Sequence, residues 1–530
     1  MTPTPATATT TSDPAMTHER ADETPHHPAL HPLDEHNRKH QASVHPPNWR
    51  NPVPEGRYNL VVIGAGTAGL VSAAGAAGLG AKVALIERDV MGGDCLNVGC
   101  VSSKALISSA RAAADVRDAG AWGVDAELRD IDFAAAMQRM RKIRGDISPH
   151  DSVQRFSDLG IDVYLGSARF TSDQTVEVEG TTLRFARAVI ATGARAVELP
   201  IPGLSNVDYL TNETVFSLTQ RPRHLAVIGA GPIGCELAQT FRRLGSQVTL
   251  IEAEPRILPR EDEDAAAVVE QAMQRDGVEL ICGGKTVGIE RRDDGNKLIR
   301  LNCQGRDHEL EVDQILLGVG RAPNVESLNL EAADVRYDKA GVTVNDHLQT
   351  SNPRIYAAGD VASKHKFTHA ADAMARIVIQ NALFAIGPFG RARAGALTIP
   401  WCTYTDPEIA HVGINRSDAA HRDDVQTIQI DMADVDRARL EGHEQGFLRV
   451  HVTQKGKILG ATLVARHAGD MISQVVAAMT AGRSLGTLAK VIHPYPTHAE
   501  VIRKAADAFN RGRLTPRVRS IFKTLLAWRR

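Results

Sequence analysis

The pattern of apolar and polar residues divides this chain into three parts. From Tyr58 onward, short apolar runs typical of buried strands alternate with Ala-rich segments of helical period. This alternation is typical of α/β proteins built on a parallel sheet. From about Leu397 the pattern changes to mixed strands and helices, for example at 447–452 and 470–481. We therefore predict an α/β body followed by a separate C-terminal domain.

The first part, residues 1 to about 56, has neither a helix period nor a strand period and is rich in Pro, Thr and His. Segments of this composition are typically disordered. We predict a disordered or extended N-terminal arm, which either stays in solvent or lies on the body. Two interpretations of its histidines stay open, a metal-collecting arm and a plain solvated tail. The histidines are His18, His26, His27, His31, His36, His40 and His45.

Two apolar runs of the body, 60–63 and 225–228, lead directly into glycine-rich turns. Each turn opens an Ala-rich helix, which is the context that a dinucleotide-binding fingerprint requires. Glycine at these positions lets backbone N–H groups approach a pyrophosphate at the N-terminus of the helix. The pattern predicts two dinucleotide sites, with Gly64, Gly66 and Gly69 in the first and Gly229, Gly231 and Gly234 in the second.

A second apolar run follows each fingerprint and ends in an acid, Glu87 in the first copy and Glu252 in the second. An acid in this position accepts hydrogen bonds from a ribose diol. The carboxylate of Glu252 repels a 2′-phosphate, so we predict that the second site prefers NADH over NADPH. Arg256 and Arg260 follow closely and could accommodate the phosphate, which leaves NADPH open. Either acid could instead be a solvated strand end.

Composition and charge exclude several classes of protein. The chain has 530 residues, enough for three or four domains, and its 61 Lys plus Arg nearly balance its 63 Asp plus Glu. The net charge of the protein therefore does not favour binding of nucleic acid. Six cysteines are too few for a disulfide scaffold in a chain of this length. The N-terminus lacks a signal-peptide pattern, and no run of about 18 apolar residues occurs, so we expect a cytoplasmic protein.

Cys95 and Cys100 form the one close pair among the cysteines. In a regular helix their rise would be about 7.5 Å, beyond the roughly 7 Å between Cα atoms that a disulfide permits. The helix must open between them, and Asn97 and Gly99 permit this. A thiol in the first turn of a helix has a lowered pKa and is a thiolate nucleophile near neutral pH. The pair is predicted to cycle between disulfide and dithiol; the alternative is two inert buried cysteines.

The stretch 92–104 closely resembles the active-site helix of class I pyridine nucleotide–disulfide oxidoreductases. The resemblance covers about residues 57–510. Its other motifs are Ala191-Thr192-Gly193, then Gly318-Val319-Gly320-Arg321-Ala322-Pro323-Asn324, and Ala358-Gly359-Asp360. The resemblance implies bound FAD, with Asp360 on the ribityl chain and with Gly193 and Gly320 near the cofactors.

The same resemblance implies roles for the side chains around the cysteines. Cys100 is expected to lie against the flavin, and Cys95 to attack the substrate. Lys104 is expected to pair with Glu236, which would put a cation near the flavin; the alternative for each is a surface charge on a helix. Hydride is expected to pass from the nicotinamide to FAD, and an electron pair from FAD to the cysteines.

The C-terminal motif 493–500 contains Tyr495 and Glu500. Dihydrolipoamide dehydrogenases and glutathione reductases have a general-acid/base His at the position of Tyr495, on a loop donated by the second subunit. A phenol with a pKa near 10 is a poor proton acceptor at neutral pH. His493 or His498 could compensate, or could be a hydrogen-bonding spacer. Mercuric reductases have Tyr at this position, and the stretches 401–408 and 436–439 also resemble theirs.

Two features of mercuric reductases are missing from the chain. They end in a vicinal cysteine pair, and many carry an N-terminal metal domain with its own pair, whereas this chain has no cysteine before Cys95 or after Cys402. It ends instead in a basic tail with nine Lys or Arg in 503–530 and one acid, Asp507. The tail also carries an apolar stripe at helical spacing, formed by Leu514, Val518, Ile521, Phe522, Leu525 and Leu526.

Together these observations predict an α/β fold with two Rossmann-like dinucleotide-binding domains and a C-terminal α+β dimerisation domain. We predict an FAD domain at 57–202 and 325–395, a nicotinamide domain at 203–324, and a dimerisation domain at 396–530 that forms a homodimer. The favoured function is reduction of a soft metal–thiol complex or a small disulfide, without a resident metal. The alternatives are a dihydrolipoamide dehydrogenase, and a component that transfers electrons or handles metal at a membrane surface.

Overall fold

The computed structural model describes residues 27–303, 305–387 and 389–530. Its strands are β1 (Arg57–Ile63), β2 (Val83–Glu87), β3 (Asp162–Leu165), β4 (Ala168–Ser172), β5 (Thr175–Val178), β6 (Thr181–Ile190), β7 (Ala194–Ala196), β8 (His224–Ile228), β9 (Gln247–Glu252), β10 (Glu279–Cys282), β11 (Gly284–Arg291), β12 (Lys297–Cys303), β13 (Arg306–Val312), β14 (Gln314–Leu317), β15 (Arg321–Pro323), β16 (Tyr337–Asp338), β17 (Gly341–Val342), β18 (Ile355–Ala357), β19 (Pro400–Thr403), β20 (Glu408–Gly413), β21 (Val425–Asp431), β22 (Phe447–Thr453) and β23 (Ile458–Ala465).

The helices connect and cover these strands. They are α1 (Glu35–Val44), α2 (Thr67–Gly78), α3 (Gly93–Asn97), α4 (Cys100–Asp118), α5 (Phe133–Ile147), α6 (Val153–Asp158), α7 (Pro232–Arg243), α8 (Glu263–Arg275), α9 (Thr368–Ile379), α10 (Arg416–Ala420), α11 (Asp436–Leu440), α12 (Ala468–Thr480), α13 (Leu485–Leu488), α14 (Glu500–Gly512) and α15 (Pro516–Trp528). Among the described residues, no helix is both long and apolar enough to cross a membrane.

The first sheet has the strand order β3-β2-β1-β6-β5-β4, and β18 pairs with β6. Strands β1, β2, β3, β6 and β18 run parallel to one another, whereas β4 and β5 extend the sheet as an antiparallel hairpin beside β6. Their apolar side chains are buried on both faces, as in a sheet covered on each side. Because β18 comes from residues 355–357, the chain returns to this sheet after it has built a second one.

The second sheet is parallel throughout, with the order β10-β9-β8-β14. A three-stranded antiparallel sheet, β11-β12-β13, is inserted between β10 and β14. The short antiparallel pair β7-β15 joins the segment that enters this domain to the segment that leaves it. Each fingerprint therefore lies at the carboxyl end of a central parallel strand, where nucleotides bind in folds of this kind.

The C-terminal part contains a five-stranded antiparallel sheet with the order β19-β20-β23-β22-β21. Helices α12 and α14 cover one face of this sheet and bury its apolar side chains. Two buried ion pairs, from Arg449 to Asp262 and from Arg243 to Asp406, join this sheet to the second parallel domain. The α/β fold class and the α+β character of the C-terminal part are confirmed.

The described part of the N-terminal arm differs from the prediction of a disordered or extended segment. Residues 35–44 form α1, which Asp34 caps by accepting a hydrogen bond from the Asn37 N–H. The buried side chains of α1 are Asn37, His40 and Val44. Two of these three are polar, so the helix has no apolar period that the sequence could reveal. Tertiary hydrogen bonds stabilise it instead.

The histidines of the arm do not form a metal site in the part of the chain that the structure describes. No group of three or more His, Cys, Asp or Glu side chains could hold a metal ion there. His40 is buried in the protein interior, and His45 bonds to the backbone oxygen of Asp89. His18 and His26 lie outside the described residues.

Candidate functional site

The first fingerprint joins β1 to α2 by a turn that needs glycine. Gly64 has a φ of +100°, and a Cβ atom on it would overlap the backbone of Ala191. A Cβ on Gly69 would overlap the carbonyl of Gly64, so this glycine sets how closely α2 approaches β1. Gly66 is the N-cap of α2 and has no side chain to occupy the space in front of the helix. The helix N-terminus is thereby open to an anionic group.

Glu87 lies where the sequence predicts, at the end of β2. Its carboxylate accepts the backbone N–H of Ala65 at 2.6 Å and that of Asp89 at 2.9 Å. Burial raises the pKa of Glu87, although both hydrogen bonds oppose the shift. The carboxylate is therefore bound to the fingerprint turn rather than being a solvated strand end.

The second fingerprint repeats this arrangement between β8 and α7. Gly229 has a φ of +100°, and a Cβ on Gly234 would overlap the carbonyl of Gly229. Gly231 is the N-cap of α7. The carboxylate of Glu252 accepts the backbone N–H of Ala230 at 2.7 Å. The two copies thus agree in backbone conformation as well as in sequence.

One cavity of about 2110 Å³ connects both fingerprints with the cysteine pair. This volume exceeds the roughly 300–1,000 Å³ of a pocket for one small ligand. Of the predicted residues, those that line it are Gly64, Gly66, Glu87, Cys95, Cys100, Lys104, Gly193, Gly229, Gly231, Glu236, Glu252, Gly320 and Asp360. A cavity of this size with a helix N-terminus at each turn fits an FAD and a second dinucleotide.

The cysteines lie on either side of a break between α3 and α4. Helix α3 ends at Asn97 and α4 begins at Cys100, so the predicted opening is present. A Cβ on Gly99 would lie 2.7 Å from the carbonyl oxygen of Asp94, which explains why glycine is needed within the opening. Both cysteines are free thiols in this structure.

The surroundings of Cys100 stabilise its thiolate. The pKa of Cys100 is lowered to about 6, chiefly by a hydrogen bond from the Cys95 thiol and also by Thr368 and Lys104, against the effect of burial. The Thr368 hydroxyl lies 3.4 Å from the Cys100 sulfur. The same hydrogen bond, together with burial, raises the pKa of Cys95. At neutral pH the pair is one thiolate and one thiol.

Lys104 and Glu236 form the predicted pair across the two domains. The Lys104 ammonium lies 2.8 Å from the Glu236 carboxylate, whose side chain is 7% exposed. Burial alone would lower the pKa of Lys104, but the Glu236 carboxylate outweighs it and the pKa is raised. The ammonium also lies 4.4 Å from the centre of the Tyr404 ring. A permanent cation therefore lies beside the Cys100 thiolate.

Sequence reasoning gave no role to three side chains of this site. Thr368 begins α9 and contacts Cys100, while Tyr404 donates its backbone N–H to Glu236 at 2.9 Å. Cys402 lines the cavity as a further thiol, and burial raises its pKa. Tyr404 and Cys402 lie in the motif 401–408, but no local pattern relates them to residues about 300 positions earlier in the chain.

Tyr495 and Glu500 are not brought to the cysteines within one chain, because neither lines the cavity. The Tyr495 hydroxyl donates to the Asp436 carboxylate at 2.9 Å, and its ring is 72% exposed. This hydrogen bond raises the pKa of Tyr495. Glu500 is buried and accepts a hydrogen bond from Arg503 at 2.6 Å.

The two histidines of the C-terminal motif are also held within their own domain. His493 lies 2.9 Å from the side-chain oxygen of Gln474. His498 lies 3.3 Å from the Glu441 carboxylate, and burial lowers its pKa despite this neighbour. Within one chain, neither histidine lines the cavity.

We expect the thiolate of reduced Cys100 to titrate with a midpoint near pH 6. Replacing Cys95 with Ala removes the largest stabilising contact of the thiolate, so the midpoint should rise by about one unit or more. The measurement is the ultraviolet thiolate absorbance of the reduced protein, taken as a difference from Cys100→Ser. Thr368→Val should give a smaller rise. A midpoint above pH 8 in the parent protein would contradict the assigned contacts.

Comparison with known proteins places the site in a family. Residues 58–375 match the family model described as pyridine nucleotide-disulphide oxidoreductase, and residues 399–506 match the dimerisation domain of the same family. The mercuric reductase of Bacillus cereus is 33% identical over 457 residues, which cover 86% of this chain and 72% of that protein. The dihydrolipoyl dehydrogenase of Thermus scotoductus is 33% identical over 463 residues, covering 86% of this chain and 98% of that protein.

Among solved structures, the HOCl-induced flavoprotein disulfide reductase RclA from Escherichia coli, in a complex with Cu(II), has a similar fold. It superposes with a TM-score of 0.75 at 28% identity and covers 86% of this chain and 100% of that one. The dimerisation domain supports a homodimer. This chain therefore belongs to the pyridine nucleotide-disulphide oxidoreductase family, whose members are FAD-dependent oxidoreductases that use NAD(P)H.

Proposed function

We propose that this enzyme uses the Cys95–Cys100 pair to reduce a soft metal–thiol complex or a small disulfide with electrons from NADH. The observation that carries the proposal is the single cavity, which both fingerprints and both cysteines line. A cysteine pair in the same cavity as two dinucleotide sites can receive electrons from the cofactors bound there. The pair is therefore better explained as a redox centre than as two inert thiols.

The cofactor residues keep their predicted roles in this proposal. Bound FAD would accept hydride from the nicotinamide and pass an electron pair to the cysteine disulfide. Glu87 would accept hydrogen bonds from the adenosine ribose of FAD, and Asp360 from its ribityl chain. Glu252 would bind the ribose of NADH. Burial raises the pKa of Asp360 while Arg321 opposes the shift.

The dithiol can reduce a small disulfide without an external base in its first step. The Cys95 proton lies in the hydrogen bond to Cys100, so its transfer to Cys100 leaves a thiolate on Cys95. That thiolate attacks the substrate disulfide and forms a mixed disulfide, and the substrate thiolate that leaves takes the proton now on Cys100. The Cys100 thiolate then attacks the Cys95 sulfur, and the second substrate thiolate leaves and takes a proton from solvent. The cysteine pair has become a disulfide, and the substrate has gained two electrons, one proton from the pair and one from solvent.

Tyr495 favours this function over that of a dihydrolipoamide dehydrogenase. A group that exchanges protons with a dithiol at neutral pH needs a pKa near that pH. The Asp436 hydrogen bond moves the pKa of Tyr495 in the opposite direction. Dihydrolipoamide dehydrogenase stays the second candidate because relatives of that name are 33% identical to this chain. We propose that Tyr495 and Glu500 reach the cysteines of the partner subunit in the homodimer.

Relatives that handle metals support a soft metal ion as the acceptor. Two relatives that are 33% identical to this chain are mercuric reductases. The flavoprotein disulfide reductase of similar fold was solved as a complex with Cu(II). A soft ion reaches a dithiol inside a cavity quickly only if thiolates pass it inward by ligand exchange. The sequence contains no cysteine after Cys402 that could begin such a relay. Hg(II) should therefore be a poor substrate.

The basic helix α15 supports the third candidate, a protein that works at a membrane surface. None of its residues is buried; Ile521 is 65% exposed and Trp528 is 87% exposed. A basic amphipathic helix with a terminal Trp suits anionic lipid. The helix also continues directly from the dimerisation domain, and packing on the partner subunit explains its apolar stripe equally well. A cytoplasmic location stays a prediction.

An acceptor panel tests the proposed function. NADH oxidation is followed under anaerobic conditions with Hg(II) in excess small thiol, Cu(II), lipoamide, glutathione disulfide and quinones. We expect slow turnover with Hg(II) and lipoamide and faster turnover with another soft metal complex or disulfide. Cys95→Ser should lower turnover of that acceptor by about 100-fold or more.

The matched control for this panel is Cys303→Ser, because Cys303 does not line the cavity. It should keep the turnover of the parent enzyme. Rapid release of elemental mercury would show that a second cysteine pair is not needed. Fast reduction of lipoamide would favour the dihydrolipoamide dehydrogenase.

Nucleotide preference tests the role of Glu252. We expect NADH to be favoured over NADPH by about tenfold in kcat/KM, because one screened carboxylate–phosphate repulsion is worth about 1–2 kcal/mol. Glu252→Ala should reduce this ratio. The conservative control Glu254→Ala changes a neighbouring carboxylate that has no predicted ribose contact. A parent enzyme that prefers NADPH would contradict the assignment.

Deleting residues 514–530 distinguishes the two roles of α15. We expect the deletion to weaken the homodimer in sedimentation experiments, because the apolar stripe would lose its partner. Flotation with vesicles of anionic lipid measures the other role on the same two proteins. Loss of vesicle binding with an unchanged dimer would show that α15 binds the membrane surface.

A further inference from the structure

The described part of the N-terminal arm, residues 27–56, lies outside the region that matches the family model. It nevertheless packs against the break between the two cysteines. Helix α1 lies on α5, and the preceding turn at Pro28–Leu30 lies beside the 3-10 turn at Val215–Ser217. The side chains of His40 and Asn37 and the backbone oxygen of Ala29 take part in one buried hydrogen-bond network that includes Asn97. Neither the nucleotide-binding turns nor the cysteine chemistry described above makes use of this network.

His40 makes the first contact of this network. It is fully buried, and its Nε2 atom lies 2.6 Å from the side-chain oxygen of Asn97. The Asn97 amide nitrogen donates to the carbonyls of Met91 and Gly93, so the Asn97 oxygen must be the acceptor. Nε2 of His40 therefore carries the proton. Burial lowers the pKa of His40 to about 3, and the ring stays neutral.

Arg144 makes the second contact. Its guanidinium is buried and donates to the backbone oxygen of Asn97 at 2.7 Å. The same guanidinium donates to two groups of the arm, the backbone oxygen of Ala29 at 2.6 Å and the side-chain oxygen of Asn37 at 2.7 Å. The arm and the cysteine segment therefore share one cation.

These bonds replace those that the break removes. In a continuous helix, the Asn97 carbonyl would accept the backbone N–H four residues later. Because α3 ends at Asn97, that carbonyl needs other donors. Arg144 supplies one, and the Ser102 hydroxyl supplies another at 3.1 Å. The opened backbone is thus satisfied by side chains, one of which the arm orients.

We propose that the arm is a clamp that holds the helix open at Asn97 and so favours the Cys95–Cys100 disulfide over the dithiol, with His40 as a positioning residue. This inference rests on the proposed redox function of the two cysteines. A disulfide needs Cα atoms within about 7 Å, which a closed helix does not provide. A wider separation costs the dithiol only the interaction between its two sulfurs, whereas it prevents the disulfide from forming. Any group that keeps the segment open therefore raises the effective concentration of one thiol at the other.

The test compares His40→Leu with His40→Gln in the FAD-loaded full-length enzyme. Leucine removes the donor, whereas the Gln amide nitrogen can occupy the position of Nε2 and donate to Asn97. Each protein is equilibrated in dithiothreitol buffers of defined redox ratio, trapped, and its Cys95–Cys100 disulfide quantified by mass spectrometry. His45→Leu is the matched control, because His45 lies at the end of α1 and bonds to Asp89 rather than to Asn97.

We expect His40→Leu to shift the equilibrium about tenfold toward the dithiol, which equals a potential about 30 mV more positive for a two-electron couple. His40→Gln should restore most of the parent value, and His45→Leu should not change it. If His40→Leu does not retain FAD, His40→Asn replaces it, since its shorter amide cannot reach Asn97. An unchanged potential in the variant that folds, or an equal shift in His45→Leu, overturns the clamp. If the parent enzyme forms no such disulfide, the proposed function fails as well.

Discussion

The interaction between the sulfurs of Cys95 and Cys100 is the one on which the rest of the site depends. It fixes the charge of the pair, because one sulfur becomes a thiolate only while the other keeps its proton. A thiolate in a buried cavity is costly unless it is hydrogen-bonded and compensated by a cation. Thr368 and Lys104 meet these two requirements, and Glu236 holds the ammonium of Lys104 in position. Each of these side chains comes from a different part of the chain.

The close approach of the two sulfurs requires a helix that is broken in one place and intact on either side. The break leaves backbone groups without partners, and buried backbone groups without partners are unstable. Glycine at 99 allows the break, while Arg144 and Ser102 donate to the Asn97 carbonyl that it exposes. The reactivity of the cysteines therefore depends on the packing of α1 and α5, because Arg144 of α5 bonds both to Asn97 and to the arm. The proposed clamp explains why α1 buries two polar side chains, Asn37 and His40.

The two nucleotide-binding turns have the same local conformation, and both line one cavity. Each turn has a glycine with positive φ, a helix N-terminus and an acid bound to the turn by a backbone N–H. The return of the chain through β18 brings the two copies to one cavity. The loop with Tyr495 is outside that cavity in its own chain.

The sequence by itself determined the features that depend on neighbouring residues. The spacing of glycines predicted both nucleotide turns, and the distance between Cys95 and Cys100 predicted the break in the helix, since helix geometry forbids the disulfide otherwise. Only the tertiary structure decided what depends on contacts between distant segments. These are the hydrogen bond of Thr368 to Cys100, the contact of Lys104 with Tyr404, and the burial of Asn37 and His40 of α1. Helix α1 has no apolar period because polar contacts hold it, and such contacts leave no local pattern in the sequence.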